Sequence, residues 1–287
     1  MPSRRALLHG IAVSIAMLIG SMYGCTDQEE KRMQEIRFDL GKNIVDTARE
    51  SGVPNFAARD VAGFITYSVM NLPPQLPVRY TRPGFEINWQ PVFGFSMDAD
   101  RDRDASLPVQ QASLSLNSSI TSHADAQAFV EQTIAQFAKG KWKRYHDPVW
   151  DVLLTGRSSY LNEAGQIDSQ ATGATDPAYK LPAVDWPIVA NQGVRWYWIG
   201  EGVLATLHVH NMVGADDKFD YRMNLDFELF DVYVATLEKN EKDRLSAGDA
   251  KGWNSTAKNE ASKKTKAELN KRLVVNAIKR GDRVVQE

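Results

Sequence analysis

Apolar and polar residues alternate most regularly between residues 194 and 234. Tyr221, Met223, Leu225, Phe227 and Leu229 alternate with Arg222, Asn224, Asp226, Glu228 and Phe230, the period of two expected of a strand with one buried face. Residues 194–199 and 203–213 carry the same β signal on either side of Gly200-Glu201-Gly202, and a third run covers 219–234. Together they predict an antiparallel meander. Trp196 and Trp198 could stack a sugar or a base, but they share one face of the first run, which favours a place in the core. In the second run Val203, Ala205, Leu207, Val209 and Val213 take one face, leaving His208 and His210 on the other, toward solvent or a covering helix.

Helical spacing predicts a first helix over 30–50, with Met33, Ile36, Leu40, Ile44 and Val45 on one side and Gly52 and Pro54 ending it. Residues 61–69 read as an early strand or a short helix. Residues 85–97 predict a strand bent near Pro91, 109–116 a second strand, and the acidic stretch between them a hairpin loop. Ser122 offers an N-cap to a helix over 124–139, whose apolar face is Phe129, Val130, Ile134, Phe137 and Ala138. Loops dominate 142–186, with a tight hairpin at Asn162-Glu163-Ala164-Gly165. Ser255 opens a last helix that runs to Arg280 and stops at Gly281. Its apolar stripe is narrow and its remaining surface, rich in Lys and Arg, reads as a solvated face of a helix laid along the sheet, the alternative being a contact with an acidic partner or phospholipid headgroups. The expected fold class is α+β: an antiparallel β-meander sheet with flanking helices and a long basic C-terminal helix.

Composition adds little to that picture, since 43% hydrophobic and 24% charged residues in 287 are ordinary for a globular chain. The N-terminus adds more. Arg4 and Arg5 precede an apolar run over 6–20 that lacks acids, and Gly24 stands before Cys25, the single cysteine. The uninterrupted part, 11–19 apart from Ser14, is too short to span a bilayer comfortably. Met22-Tyr23-Gly24-Cys25 resembles the lipobox of bacterial lipoproteins, departing from it at Met22, where Leu is commoner, and at Tyr23, where a small residue is commoner. The resemblance implies a signal peptide over 1–24, lipidation of Cys25, a polar tether over 25–34, and a globular domain over 35–287, as one body or two intimate halves of about 35–140 and 141–287. With Thr26 as the second mature residue it implies the outer membrane, facing the periplasm. Losing Arg4 and Arg5 takes the net charge from −2 to −4, so no global attraction for nucleic acid or for anionic lipid is expected.

Catalytic patterns are weak. His208 and His210 at i, i+2 could begin a zinc site, as in a metal-dependent hydrolase, but a third ligand would have to come from His123, His146 or a distant carboxylate. Residues 98–104 begin like a calcium loop and then fail, with Arg103 where Gly is required and Val109 where a bidentate Glu is required. Gly156-Arg157-Ser158-Ser159-Tyr160 lacks the second glycine of a nucleophile elbow and reads as a turn. No phosphate-cradling glycine loop occurs. The expectation is therefore a binding protein and not an enzyme, with no metal or cofactor. Its exposed charged loops are the candidate partner-binding segments: Asp98, Asp100, Arg101, Asp102, Arg103 and Asp104, and Asp216 and Asp217 in the turn over 214–218.

Beside the lipobox, the segments 129–144, 149–160 and 251–280 resemble periplasmic immunity lipoproteins of type VI secretion effectors, especially lipase effectors. That resemblance implies binding and neutralisation of a secreted toxin, a phospholipase, by occlusion. The alternative is a non-catalytic lipoprotein of outer-membrane assembly or maintenance.

Overall fold

The alternating run over 219–229 becomes the centre of an eight-stranded sheet. A computed structural model describes residues 35–116, 120–146, 153–169, 172, 174–213 and 219–285. Cys25, Asp216 and Asp217 lie outside them, and so do the proposed signal and tether. The described residues all fall within one compact unit.

In chain order the strands and helices are β1 (Ile36–Phe38), α1 (Ile44–Glu50), β2 (Ala57–Val61), β3 (Phe64–Met70), β4 (Val78–Tyr80), β5 (Ile87–Trp89), β6 (Val92–Asp100), β7 (Gln111–Leu116) and α2 (His123–Phe137). There follow β8 (Lys143–Arg144), β9 (Leu153–Leu154), α3 (Trp186–Gln192), β10 (Val194–Gly200), β11 (Val203–Val213), β12 (Phe219–Leu229), α4 (Phe230–Ala250), α5 (Ser255–Arg280) and β13 (Val284–Val285). The large sheet has the order β2-β3-β6-β7-β12-β11-β10-β8 and is antiparallel throughout. A small sheet, β1-β4-β5, lies in the same core, and β9 pairs with β13. The fold is α+β, as the alternation and punctuation of the sequence predict.

Two tight turns set the registers at the ends of the large sheet. Ala62 and Gly63 between β2 and β3, and Glu201 and Gly202 between β10 and β11, all have positive φ, the requirement of a two-residue hairpin that matches strand twist. The expected bend at Pro91 is the point where β5 of the small sheet ends and β6 of the large sheet begins, across a cis Gln90–Pro91 peptide.

One face of the large sheet is buried. Register lines up Phe95, Leu114, Leu225, Leu207 and Trp196 across β6, β7, β12, β11 and β10, and all five are nearly inaccessible. The small sheet, α1, α2 and α3 supply the opposing layer. Phe227 sits among Phe38, Tyr80, Trp89 and Trp142, stacked on Tyr80 with ring centroids 4.7 Å apart, while Phe137 of α2 stacks on Trp198 at 3.9 Å. Ser122 caps α2 as expected, its hydroxyl accepting from the Asp125 amide. The partly buried Arg82 bonds to the Asp39 carboxylate and to the carbonyls of Leu40 and Glu201, tying the small sheet to the β10–β11 turn.

Four expectations are corrected. The helix expected over 30–50 begins only at Ile44, because Ile36 and Phe38 alternate with Arg37 in β1 and Asn43 caps the helix that follows. The run expected as strand to Val234 turns helical at Phe230, where apolar spacing changes from two to three or four at Phe230, Tyr233, Val234 and Leu237. Asn254, not Ser255, caps α5. Finally α5 does not lie along the large sheet: its buried Leu273 and Ala277 pack on Leu154, next to the β9–β13 pair.

Candidate functional site

The second face of the large sheet is lined by the polar half of each alternating strand. Register sets its side chains in rows. Thr66, Asp98, Gln111 and Glu228 form one row across β3, β6, β7 and β12. Ser68, Ser96, Ser113, Asp226, Thr206 and Tyr197 form the next, extending to β11 and β10. Asn224, His208 and Arg195 follow, and then Arg222 beside His210. Every one of these side chains is half-buried or exposed.

Three carboxyls on this face are raised in pKa, each chiefly by burial. Asp98 and Asp226 keep hydroxyl donors, Thr66 and Ser113, each at 2.6 Å, which pull their pKa values back in part. Glu228 is raised by burial and then by neighbouring Asp226, against a smaller pull from Arg103. His208 moves down, through burial first and then through the positive Arg195 and His210. The upper middle of the face is therefore acidic and its β10–β11 side basic. Its β2–β3 margin carries exposed apolar side chains, Val61 and Phe64 at one end and Met70 at the other, 69%, 47% and 53% exposed, with Arg59, Thr66 and Ser68 between them.

The residues expected to bind a partner divide between two settings. Asp98 and Asp100 belong to β6 and not to the loop, with Asp98 inside the polar rows. Arg101 to Asp104 form the tip of the β6–β7 hairpin, and their charges are engaged locally. Arg101 pairs with Asp60 at 2.8 Å, Asp100 accepts from the amides of Asp102 and Arg103, and Asp104 accepts from Ser106. Arg103 donates to the Asp231 carbonyl, fastening this tip to the first turn of α4. The tip stands at the acidic end of the open face, so these residues extend one surface.

The other motifs resolve into structure. His208 and His210 share the polar face with ring centroids 6.5 Å apart, whereas His123 bonds to Tyr221, a core-face residue that also accepts from Trp186. Among the described residues no group of three or more His, Cys, Asp or Glu side chains is placed to hold a metal ion. Gly156–Tyr160 is a short 3-10 turn in which the buried Ser159 hydroxyl donates to the Gly156 carbonyl and accepts from the Asp176 amide. A surface hollow of about 350 Å³, lined by Asn162, Glu163, Ala164, Asp168, Leu269 and Leu273, lies under α5 and away from the sheet face. No described helix is long and apolar enough to cross a membrane.

Sequence reasoning named Asp98 and the two histidines, but not the convergence of Asp98, Asp226 and Glu228 or the apolar margin. Alternation identified the polar face of β12; strand order, which decides what lies beside it, carries no local signal.

Together these features define an α+β protein whose eight-stranded antiparallel sheet is buried on one side and presents a polar, charge-divided surface on the other. No protein-family model, curated protein or solved structure matches the chain.

Proposed function

We propose that this is a lipid-anchored, periplasm-facing outer-membrane protein that captures and neutralises a secreted toxin, a phospholipase delivered by type VI secretion, by docking it on the open sheet face. The observation that carries the docking surface is the joint presence of Asp98, Asp226 and Glu228, held partly desolvated, and the exposed Val61, Phe64 and Met70 on the same face. Carboxyls raised by burial reduce stability at neutral pH, and retaining three of them on one face favours use over fold. Apolar anchors beside ordered charges are what a protein partner needs, the first for affinity and the second for register. At about 4.8 Å per strand the face is roughly 34 Å wide, enough for one side of a standard interface of about 800 Å² per partner.

The anchor rests on the N-terminal pattern ending at Cys25, and the toxin on the resemblance of 129–144, 149–160 and 251–280 to immunity lipoproteins. Capture needs no bond-making step, so the protein acts without cofactor. The second reading, a lipoprotein of envelope assembly or maintenance, is favoured by the outward-reaching α4–α5 pair, whose α5 surface carries Lys264, Lys266 and Lys279.

Co-expression with the toxin encoded beside it tests the first reading. The full chain restores growth when the toxin is sent to the periplasm, and a copy lacking 1–24 does not. Equal rescue by the truncated copy at equal abundance contradicts the location, and an unmodified Cys25 in the mass spectrum of the native protein contradicts the anchor.

A further inference from the structure

The basic side of the sheet face has a built geometry of its own. Val194 pairs with Val209 and Arg195 with His208, so β10 begins opposite the two histidines and the residue just before it, Gly193, lies against both rings. A methyl group at Gly193 would stand 3.5 Å from His208 Nε2 and 3.8 Å from the His210 ring. With no side chain there, a notch opens between the imidazoles, whose rings are nearly parallel at 18°. Gly193 has φ of +76°, so a larger residue is disfavoured by the backbone as well.

Four nitrogen-bearing side chains surround this notch: Arg195 from β10, His208 and His210 from β11, and Arg222 from β12. Among the described residues the Arg195 guanidinium and both imidazoles make no hydrogen bond or ion pair, while Arg222 is opposed by Asp220 at 3.5 Å. Asn224 stands beside His208 as a neutral donor. Among the described residues two carboxylates face in from the neighbouring rows: Asp226, to which Ser113 already donates, and Asp220, opposed to Arg222. Donors outnumber acceptors, and they approach from three strands.

We propose that Arg195, His208, His210 and Arg222 form a binding site for a phosphate group, seated in the notch over Gly193. A compact oxyanion matches several converging N–H donors better than a flat apolar ligand does, and Arg195 supplies the fork that phosphate takes up at two points. The site does not depend on the toxin reading. For a phosphate of given charge its affinity rises as pH falls. His208 is held low by burial, Arg195 and His210, so it is neutral near pH 7; bound phosphate reverses that repulsion and favours the imidazolium. Arg222 acts in the same direction as Arg195, and Asp226 and Asp220 oppose both.

The test follows the imidazole ¹H–¹⁵N signals of the full chain near pH 6 as inorganic phosphate is added at constant ionic strength. A parallel arm adds phosphatidylcholine vesicles with and without phosphatidic acid. Saturable shifts at His208 and His210, with His123 unmoved, are expected. Arg195→Gln, an exposed position, weakens them about tenfold while the charge-matched control Lys264→Gln does not. Saturation with free phosphate assigns a soluble oxyanion, and saturation only with phosphatidic-acid vesicles assigns a lipid headgroup; either supports the site. It is overturned if neither probe shifts both histidines saturably, or if Lys264→Gln weakens binding as much as Arg195→Gln.

Discussion

Phe227 and Asp226 are neighbours on β12, yet they point to opposite faces and obey opposite rules. Phe227 is fully buried and touches four aromatic rings; Phe227→Ala removes those contacts and leaves a cavity, so a loss of about 3–5 kcal/mol is expected in urea unfolding. At Gly200 the limit is space: a methyl group would lie 2.4 Å from Phe85 Cε1 and 2.9 Å from Trp142 Cε3, and Gly200→Ala is expected to cost about 1–3 kcal/mol by overpacking. Asp226 behaves differently. Its folded-state pKa is above the unfolded value, so the folded state holds the proton more tightly and stability falls as pH rises from about 3.8 through the raised pKa. Asp226→Asn keeps an acceptor for Ser113 without the charge. Thermal melts near pH 7 should place the variant above the parent, and melts near pH 3 should bring the two together. A variant no more stable than the parent near pH 7 contradicts the desolvation argument.

The elements differ in what holds them. The central strands β7, β12, β11 and β10 are paired on both sides and packed beneath, whereas the facing ends of α4 and α5 meet through polar contacts. Asn259 donates to Glu241 and accepts from Arg244, and Ser255 packs on Gly248. With so little apolar burial there, amide exchange over 238–266 should be faster than over 221–228 by several orders of magnitude. Equal protection in the two segments contradicts this. The same contrast explains what the sequence revealed. Strand alternation in β10, β11 and β12 was legible because one face of each meets a core, and α2 was legible because Ser122 and Gly140 bracket a clear apolar stripe. The start of α4 was not, since Leu229 passes to Phe230 with no glycine or proline and its apolar spacing ends at Leu237. Ile36, Leu40 and Ile44 imitated a helical stripe because β1, the segment after it and α1 each bury one of them. At the candidate site, Asp98 was visible as a charge but not as a strand residue, and its place in one row with Glu228, on either side of Gln111, depends on β7 pairing with both β6 and β12.

For the molecule as a whole, the proposed working surface is the unburied side of one sheet, where a toxin would dock, with the N-terminus as the proposed tether. The most direct measurement is the equilibrium affinity of the purified chain for the toxin encoded beside it, compared with a Phe64→Glu, Asp226→Lys double variant checked for native circular dichroism. Both positions are off the buried face, so the fold is expected to persist. Nanomolar binding by the parent, weakened about 100-fold or more in the variant, equivalent to about 2.7 kcal/mol, is the predicted result. Equal affinity in the two proteins, or no binding by the parent, would contradict the account.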